Sequence, residues 1–289
     1  MVFKKKPEIT GLSSFSKIYS FLCFAFLKIV SKQNIYNLLE LAPQFQLSTN
    51  LWLIAILGGI LVGLSKAGIK GISIIIVTML VFVFGGKAST GIVLPMLMTG
   101  DIMAVYYYNR HAQWKYLRQL LPWMMIGVIV GAFVGKDLPE DIFKRGMAFI
   151  ILGSVIMMYW WDRRESKAVP DQWWFAGSMG FMAGFTTMIG NLAGAFSNIF
   201  FLATRLPKNE FIGTAAWLFF IINIFKLPFH IFMWGTVTSE SLMVNLRLVP
   251  AIVTGFMAGI YLVKLITDQQ YRKFILLVTA IGAILIFFR

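Results

Sequence analysis

Residues 121–136, LPWMMIGVIVGAFVGK, return 128 positions later as residues 249–264, VPAIVTGFMAGIYLVK. A proline, two glycines and the closing lysine keep register: Pro122 with Pro250, Gly127 with Gly255, Gly131 with Gly259, Lys136 with Lys264. Just beyond, Phe143, Lys144 and Arg145 are matched at the same displacement by Tyr271, Arg272 and Lys273. Upstream, Gly91, Asp101 and Tyr108 recur as Gly213, Asn223 and His230 at a displacement of 122, and Gly59 and Gly63 as Gly180 and Gly184 at 121. The additional residues of the second copy fall in the loop around Gly235 to Leu242. A duplicated, apolar, glycine-punctuated chain is a common build of secondary transporters, which hold their substrate where the two halves meet.

Composition sets the solvent. Hydrophobic residues make up 58% of the 289 positions and charged residues 13%, too little polar surface to cover a water-soluble domain of this size. The apolar runs 91–109, 117–135, 213–234 and 249–266 reach the roughly 17 to 25 residues that a helix needs to cross a bilayer. Tyr159, Trp160, Trp161, Trp173 and Trp174 form the kind of aromatic belt that anchors shorter spans at the interface. Alternation over about ten residues, the mark of a transmembrane β-strand, is absent. The fold class is therefore an all-α polytopic membrane protein. A net charge of +14 is spread over short loops and the N-terminal segment, the usual place for basic residues in such proteins, so nucleic acid is not a partner and the lipid bilayer is. The single Cys23 excludes an internal disulfide, and no His or Cys cluster has metal-ligand spacing. No cofactor is expected.

Four segments follow. Residues 1–50 begin with Lys4, Lys5 and Lys6 and contain the apolar stretch 18–27, which reads as a basic helix lying in the interface rather than as a cleaved signal. Residues 51–161 form the first transmembrane repeat, residues 162–171 a polar linker with Asp162, Arg163, Arg164, Glu165 and Lys167, and residues 172–289 the second repeat. Each repeat opens with an apolar region broken by glycine, Gly63 to Gly71 in one and Gly184 to Gly194 in the other, followed by three further spans. Counted as one interrupted crossing, the broken region gives four segments per half and parallel halves. Counted as two, it gives five per half, eight to ten in total across the two counts, and inverted halves. Paired short segments around a break favour the inverted arrangement. Arg110, Lys115 and Arg118 on one side balance Lys136, Lys144 and Arg145 on the next loop, so loop charge does not choose.

The breaks carry the chemistry. Irregular backbone at membrane depth survives only where protein or a watery cavity satisfies it. A helix restarting there points free N–H groups and the positive end of its dipole at whatever fills the cavity, which suits an anion. Ser65, Thr186, Thr187 and Asn191 add polar donors, and Lys66 and Lys70 add charge. Together with Gly68, Gly71, Gly190 and Gly194 they form the expected substrate-binding set. Gly59, Gly63, Gly180 and Gly184, spaced by four, read instead as close-packing positions between helices.

Asp101, Lys226 and His230 lie in or beside apolar runs, where an unpaired charge costs roughly 2.5 to 3.5 kcal/mol on insertion scales. Lys226 follows Asn223, the counterpart of Asp101, by one helical turn, so an Asp101–Lys226 pair across the repeat is expected. Asp101, Asn223, Lys226 and His230 form the candidate coupling or gating set, with a structural ion pair as the other reading of Asp101. Intramembrane protease motifs fail: Gly63-Leu64-Ser65 is followed by Lys66, and Asp101 has no buried partner aspartate.

The glycine-rich openings, the junctions Lys87-Ala88-Ser89-Thr90-Gly91 and Phe211-Ile212-Gly213-Thr214-Ala215, and the helices with Pro122 and Pro250 together resemble the TauE/SafE family of sulfite exporters and related anion permeases, across nearly all of residues 51–289. The resemblance implies a multi-pass protein of the bacterial inner membrane that exports sulfite or an organosulfonate, energised by the proton gradient. Family members carry a tight glycine run followed by proline, whereas Gly68-Ile69-Lys70-Gly71 and Gly190-Asn191-Leu192-Ala193-Gly194 are looser and lack it. The resulting expectation is a secondary transporter, not an enzyme, that exports a small sulfur oxyanion by alternating access. A membrane-embedded receptor or assembly protein, or a membrane enzyme, is the alternative.

Overall fold

The computed structural model describes residues 47–162, 173–204, 206–267 and 270–271. The basic segment before Leu47, residues 163–171 of the linker and the chain beyond Tyr271 lie outside the described residues, as do the side chains of Tyr159, Trp160 and Trp161. Trp173 and Trp174, the rest of the expected aromatic belt, are exposed.

Among the described residues the regular elements are helices, without strands. Before the linker come α1 (Thr49–Ala67), α2 (Ser73–Phe84), α3 (Gly86–Tyr108), α4 (Trp114–Lys136) and α5 (Glu140–Asp162). After it come α6 (Trp173–Gly190), α7 (Ala193–Ala203), α8 (Lys208–Pro228, continued by a π turn Phe229–Met233) and α9 (Ser239–Leu265). By length and composition α1, α3, α4, α8 and α9 can each cross a membrane, so the chain is an all-α polytopic membrane protein. At 12 and 11 residues, α2 and α7 span only about 18 Å and 17 Å of a hydrocarbon core about 30 Å thick. They are the second legs of the two broken regions.

Both breaks are narrower than the sequence suggests. The first helix runs on through Gly63 to Ala67 and stops at Gly68, whose φ of 126° belongs to glycine and whose N–H closes onto the carbonyls of Leu64 and Ser65. The second runs through Gly184 to Gly190 and stops at Asn191, a non-glycine residue at φ 56°, which asparagine tolerates better than most side chains. Helix starts also come earlier than hydropathy alone indicates. The α9 helix begins at Ser239 rather than near Val249 because Thr238 and Ser241 form a reciprocal cap. For α3, the Glu140 carboxylate accepts from the backbone of Gly86 at 2.6 Å and Lys87 at 3.2 Å.

Two helix pairs pack closely, and both run parallel. Along α1 and α9, Gly59 faces Leu248 and Ala251, Gly63 faces Ile252 and Phe256, and Gly259 faces Leu64 and Ala67. Along α6 and α4, Gly180 faces Leu120, Gly184 faces Met124, and Gly131 faces Phe185 and Met188. A Cβ at Gly63 would overlap the Ile252 carbonyl, and one at Gly184 the Met124 carbonyl; Met124 and Ile252 are themselves 128 positions apart. Small residues that let backbones touch are how helices associate in lipid, where burial of apolar surface gives no drive.

Between these pairs, α3 and α8 cross the molecule in opposite directions. Gly91 lies against Thr236, Asp101 against Asn223, and the Gln113 N–H donates to the Thr214 hydroxyl at 2.9 Å. Numbering rises along one while it falls along the other.

Candidate functional site

The two breaks open onto one cavity. From the first come Ser65 and Lys66 at the end of α1 and Lys70 in the turn. From the second come Thr187 and Asn191 at the end of α6. The first turns of the restarting helices complete it: Ser73 of α2, and Ala193 and Gly194 of α7. A Cβ on Gly194 would stand 3.2 Å from the Ser73 hydroxyl, so these two N-termini adjoin each other. Neither has a side-chain cap, since Ile72 and Leu192 occupy the N-cap positions. Val93 and Leu97 of α3, Asn198 of α7, and Phe219 and Asn223 of α8 close the walls. The cavity measures about 40 Å3, room for about three waters or one small oxyanion.

Its charges are unevenly compensated. Lys66 Nζ is 2.6 Å from Asp101 Oδ1, and the other Asp101 oxygen accepts from Asn223 Nδ2 at 2.6 Å. Asp101 and Lys66 are both buried. Lys70 donates to the Ser65 carbonyl at 3.2 Å. Among the described residues no carboxylate lies within ion-pair distance of Lys70. Both ammonium groups sit over the Phe219 ring, 4.9 Å and 5.4 Å from its centroid, where the ring quadrupole favours a cation. Lys70, in the turn after α1, thus lines the cavity without a carboxylate partner among the described residues.

Lys226 corrects the expected Asp101–Lys226 pair. It donates to the Thr187 carbonyl at 2.9 Å, to the Thr187 hydroxyl at 3.1 Å and to Asn191 Oδ1 at 2.7 Å. Asp101 is taken by Lys66, which the end of α1 brings closer. Lys226 adds a second bond to the Thr187 carbonyl, which already accepts from the Asn191 N–H at 3.0 Å, and with the Asn191 amide bonded to the Thr90 carbonyl it fastens the turn at Asn191.

The remaining expected residues are placed as follows. Gly68 and Gly71 shape the first turn, at φ 126° and 98°, without lining the cavity. The Gly68 carbonyl accepts from Tyr271 and the Ala67 carbonyl from Tyr108, at 2.5 Å and 2.9 Å, so two tyrosine hydroxyls satisfy the end of α1. Thr186 donates back to Met182 at 2.7 Å within its own helix. Gly190 packs toward Leu192 and Met147. His230 is buried in the π turn, with Nδ1 2.8 Å from the Thr236 hydroxyl and the ring against Trp234, away from the cavity walls. Ser73, Asn198 and Phe219 line the cavity without standing out in the sequence. Ser73 is the first residue of the restarting helix, and Asn198 stands one turn after Gly194, so helical spacing points to both once the breaks are placed.

The family model described as Sulfite exporter TauE/SafE matches residues 51–286, most of the chain. No curated protein and no solved structure matches it.

Proposed function

The chain belongs to the Sulfite exporter TauE/SafE family, whose members are transporters rather than enzymes, and we propose that it exports sulfite or a small organosulfonate across the bacterial inner membrane by alternating access. The observation that carries the proposal is the meeting of two uncapped helix N-termini, at Ser73 and Ala193, on one cavity beside the carboxylate-free Lys70. Each terminus presents unpaired backbone N–H groups and the positive end of a dipole to the same space. Such dipole interactions contribute roughly 0.3 to 2 kcal/mol each, enough to hold an anion and weak enough to release it.

The two halves act as inverted repeats with the anion between them. In an inverted pair, corresponding helices run in opposite directions; in a parallel pair they run together. The corresponding helices α3 and α8 are antiparallel, and their counterparts Asp101 and Asn223 touch at 2.6 Å, as expected of residues beside a pseudo-two-fold axis in the membrane plane. Asp101, with one oxygen on each half, is the coupling group: its proton would free Lys66 and loosen the contact between halves.

Counterflow in liposomes loaded with sulfite, sulfate, thiosulfate and a taurine-like sulfonate tests the proposal. Sulfite exchange well above protein-free vesicles is expected, and the absence of flux for all four anions would overturn it.

A further inference from the structure

We infer that the cavity selects a dianion, and that Lys226, one layer behind its wall, is the positioning residue that supplies the second of the two charges on which this selection depends. The inference rests on the anion site proposed above and narrows its cargo to an oxyanion with two negative charges, of the fully ionised sulfite kind. Three lysines gather at the two breaks, Lys66 at 6% exposure, Lys70 at 4% and Lys226 at 0%. One carboxylate answers them among the described residues, that of Asp101, 2.6 Å from Lys66. The formal balance is two positive charges in excess. Ionisable residues at membrane depth pair with one another or mark an ion's path, because an isolated buried ammonium has lost its water and gained no counterion.

The excess reaches the cavity from both breaks. Lys70 lines it beside the first. Lys226 stands behind the second: its ammonium donates to the Thr187 carbonyl, the Thr187 hydroxyl and Asn191 Oδ1, and Thr187 and Asn191 themselves line the cavity. All three acceptors are neutral, so they satisfy the hydrogen bonds of Lys226 without cancelling its charge. A charge in a low-dielectric interior acts over several ångströms, so Lys226 attracts an anion across this one layer of side chains without touching it. It also occupies Asn191 Oδ1, the end of the amide that would otherwise repel an anion nearby. The second half brings no carboxylate of its own to this place: Asn223, the neutral counterpart of Asp101, stands one turn before Lys226. A dianion in the cavity closes the balance, whereas a monoanion leaves one buried charge unanswered.

Sulfite and methanesulfinate are the discriminating probes, because they have the same number of heavy atoms and the same pyramidal shape, and a charged oxygen of one is a CH3 in the other. Equilibrium binding to the full chain in detergent, at a pH that keeps sulfite doubly ionised, should favour sulfite by about tenfold or more. Lys226→Gln keeps a hydrogen-bond donor toward Thr187 and Asn191 and loses the charge. It should cut the preference by about threefold or more, since a dianion loses twice the attraction that a monoanion does. Lys226→Arg, which keeps the charge, should keep the preference. If Lys226→Gln does not fold, Lys226→Met, of similar length and without a donor, should move the ratio the same way. Equal wild-type affinities, or a ratio unchanged in the folded uncharged variant, would overturn the inference while leaving the anion site standing. A wild-type protein that binds neither probe would overturn the site itself, and this inference with it.

Discussion

Lys66 and Lys70 stand four residues apart, on either side of the turn at Gly68, beneath the same phenylalanine and have different partners. Lys66 is held by Asp101 at 2.6 Å, whereas Lys70 has only the Ser65 carbonyl. Removing one member of a buried ion pair leaves the other charge uncompensated, at roughly 3 to 5 kcal/mol. Lys66→Ala should therefore lower thermal stability in detergent by an amount of that order. Lys70→Ala should leave the melting temperature unchanged or raise it, while weakening sulfite binding about tenfold, the loss of one charge-assisted contact of roughly 1.5 kcal/mol. Equal effects of the two substitutions on both readouts would sink the distinction. Asp101→Asn keeps shape and the bond to Asn223 but cannot titrate, so sulfite efflux from liposomes should lose its pH dependence; an unchanged pH profile would leave Asp101 a structural role. Polar residues in an apolar run are conspicuous, which is why Ser65, Lys66, Lys70, Thr187 and Asn191 are legible in the amino-acid sequence alone. Their pairing is not. Lys66 and Lys226 offer Asp101 the same charge, and only the three-dimensional approach of the end of α1 decides between them.

At the level of elements, glycine announces the breaks without fixing their width. Gly63 and Gly184 sit inside the breaks by sequence, yet they lie in continuous helix where backbones of α9 and α4 touch them. The termination falls at Gly68 and Asn191, because those residues take positive φ. Spacing of four residues carries the packing reading and the break reading equally, so composition cannot separate them. Gly63→Val should overpack the α1–α9 seam against the Ile252 carbonyl and cost up to about 3 kcal/mol. Gly153→Ala, where an added Cβ meets nothing within 4 Å among the described residues, should be neutral or stabilise by about 0.5 to 1 kcal/mol. Thermal unfolding of the two variants side by side checks the contrast, and a tolerated Gly63→Val would place the seam elsewhere.

For the whole molecule, displacements of 121, 122 and 128 positions lead to the expectation of two similar halves, while their relative direction depends on whether the broken region counts once or twice. That count is a property of α2 and α7, whose shortness is invisible in an apolar run that continues through them. The antiparallel course of α3 and α8 puts Arg110 and Ser239, both exposed, at opposite ends of the pair. With Cys23 replaced, Arg110→Cys and Ser239→Cys should label with an impermeant maleimide from opposite sides of the membrane. Labelling from one side would mean parallel halves. The central claim, that an anion sits where two restarting helices converge, is tested most directly by diffraction from crystals soaked in selenite, whose selenium scatters anomalously. The expected result is one peak between Ser73 and Gly194 beside Lys70 Nζ, lost in Lys70→Ala crystals; a peak elsewhere in the protein, with this cavity empty, would contradict it.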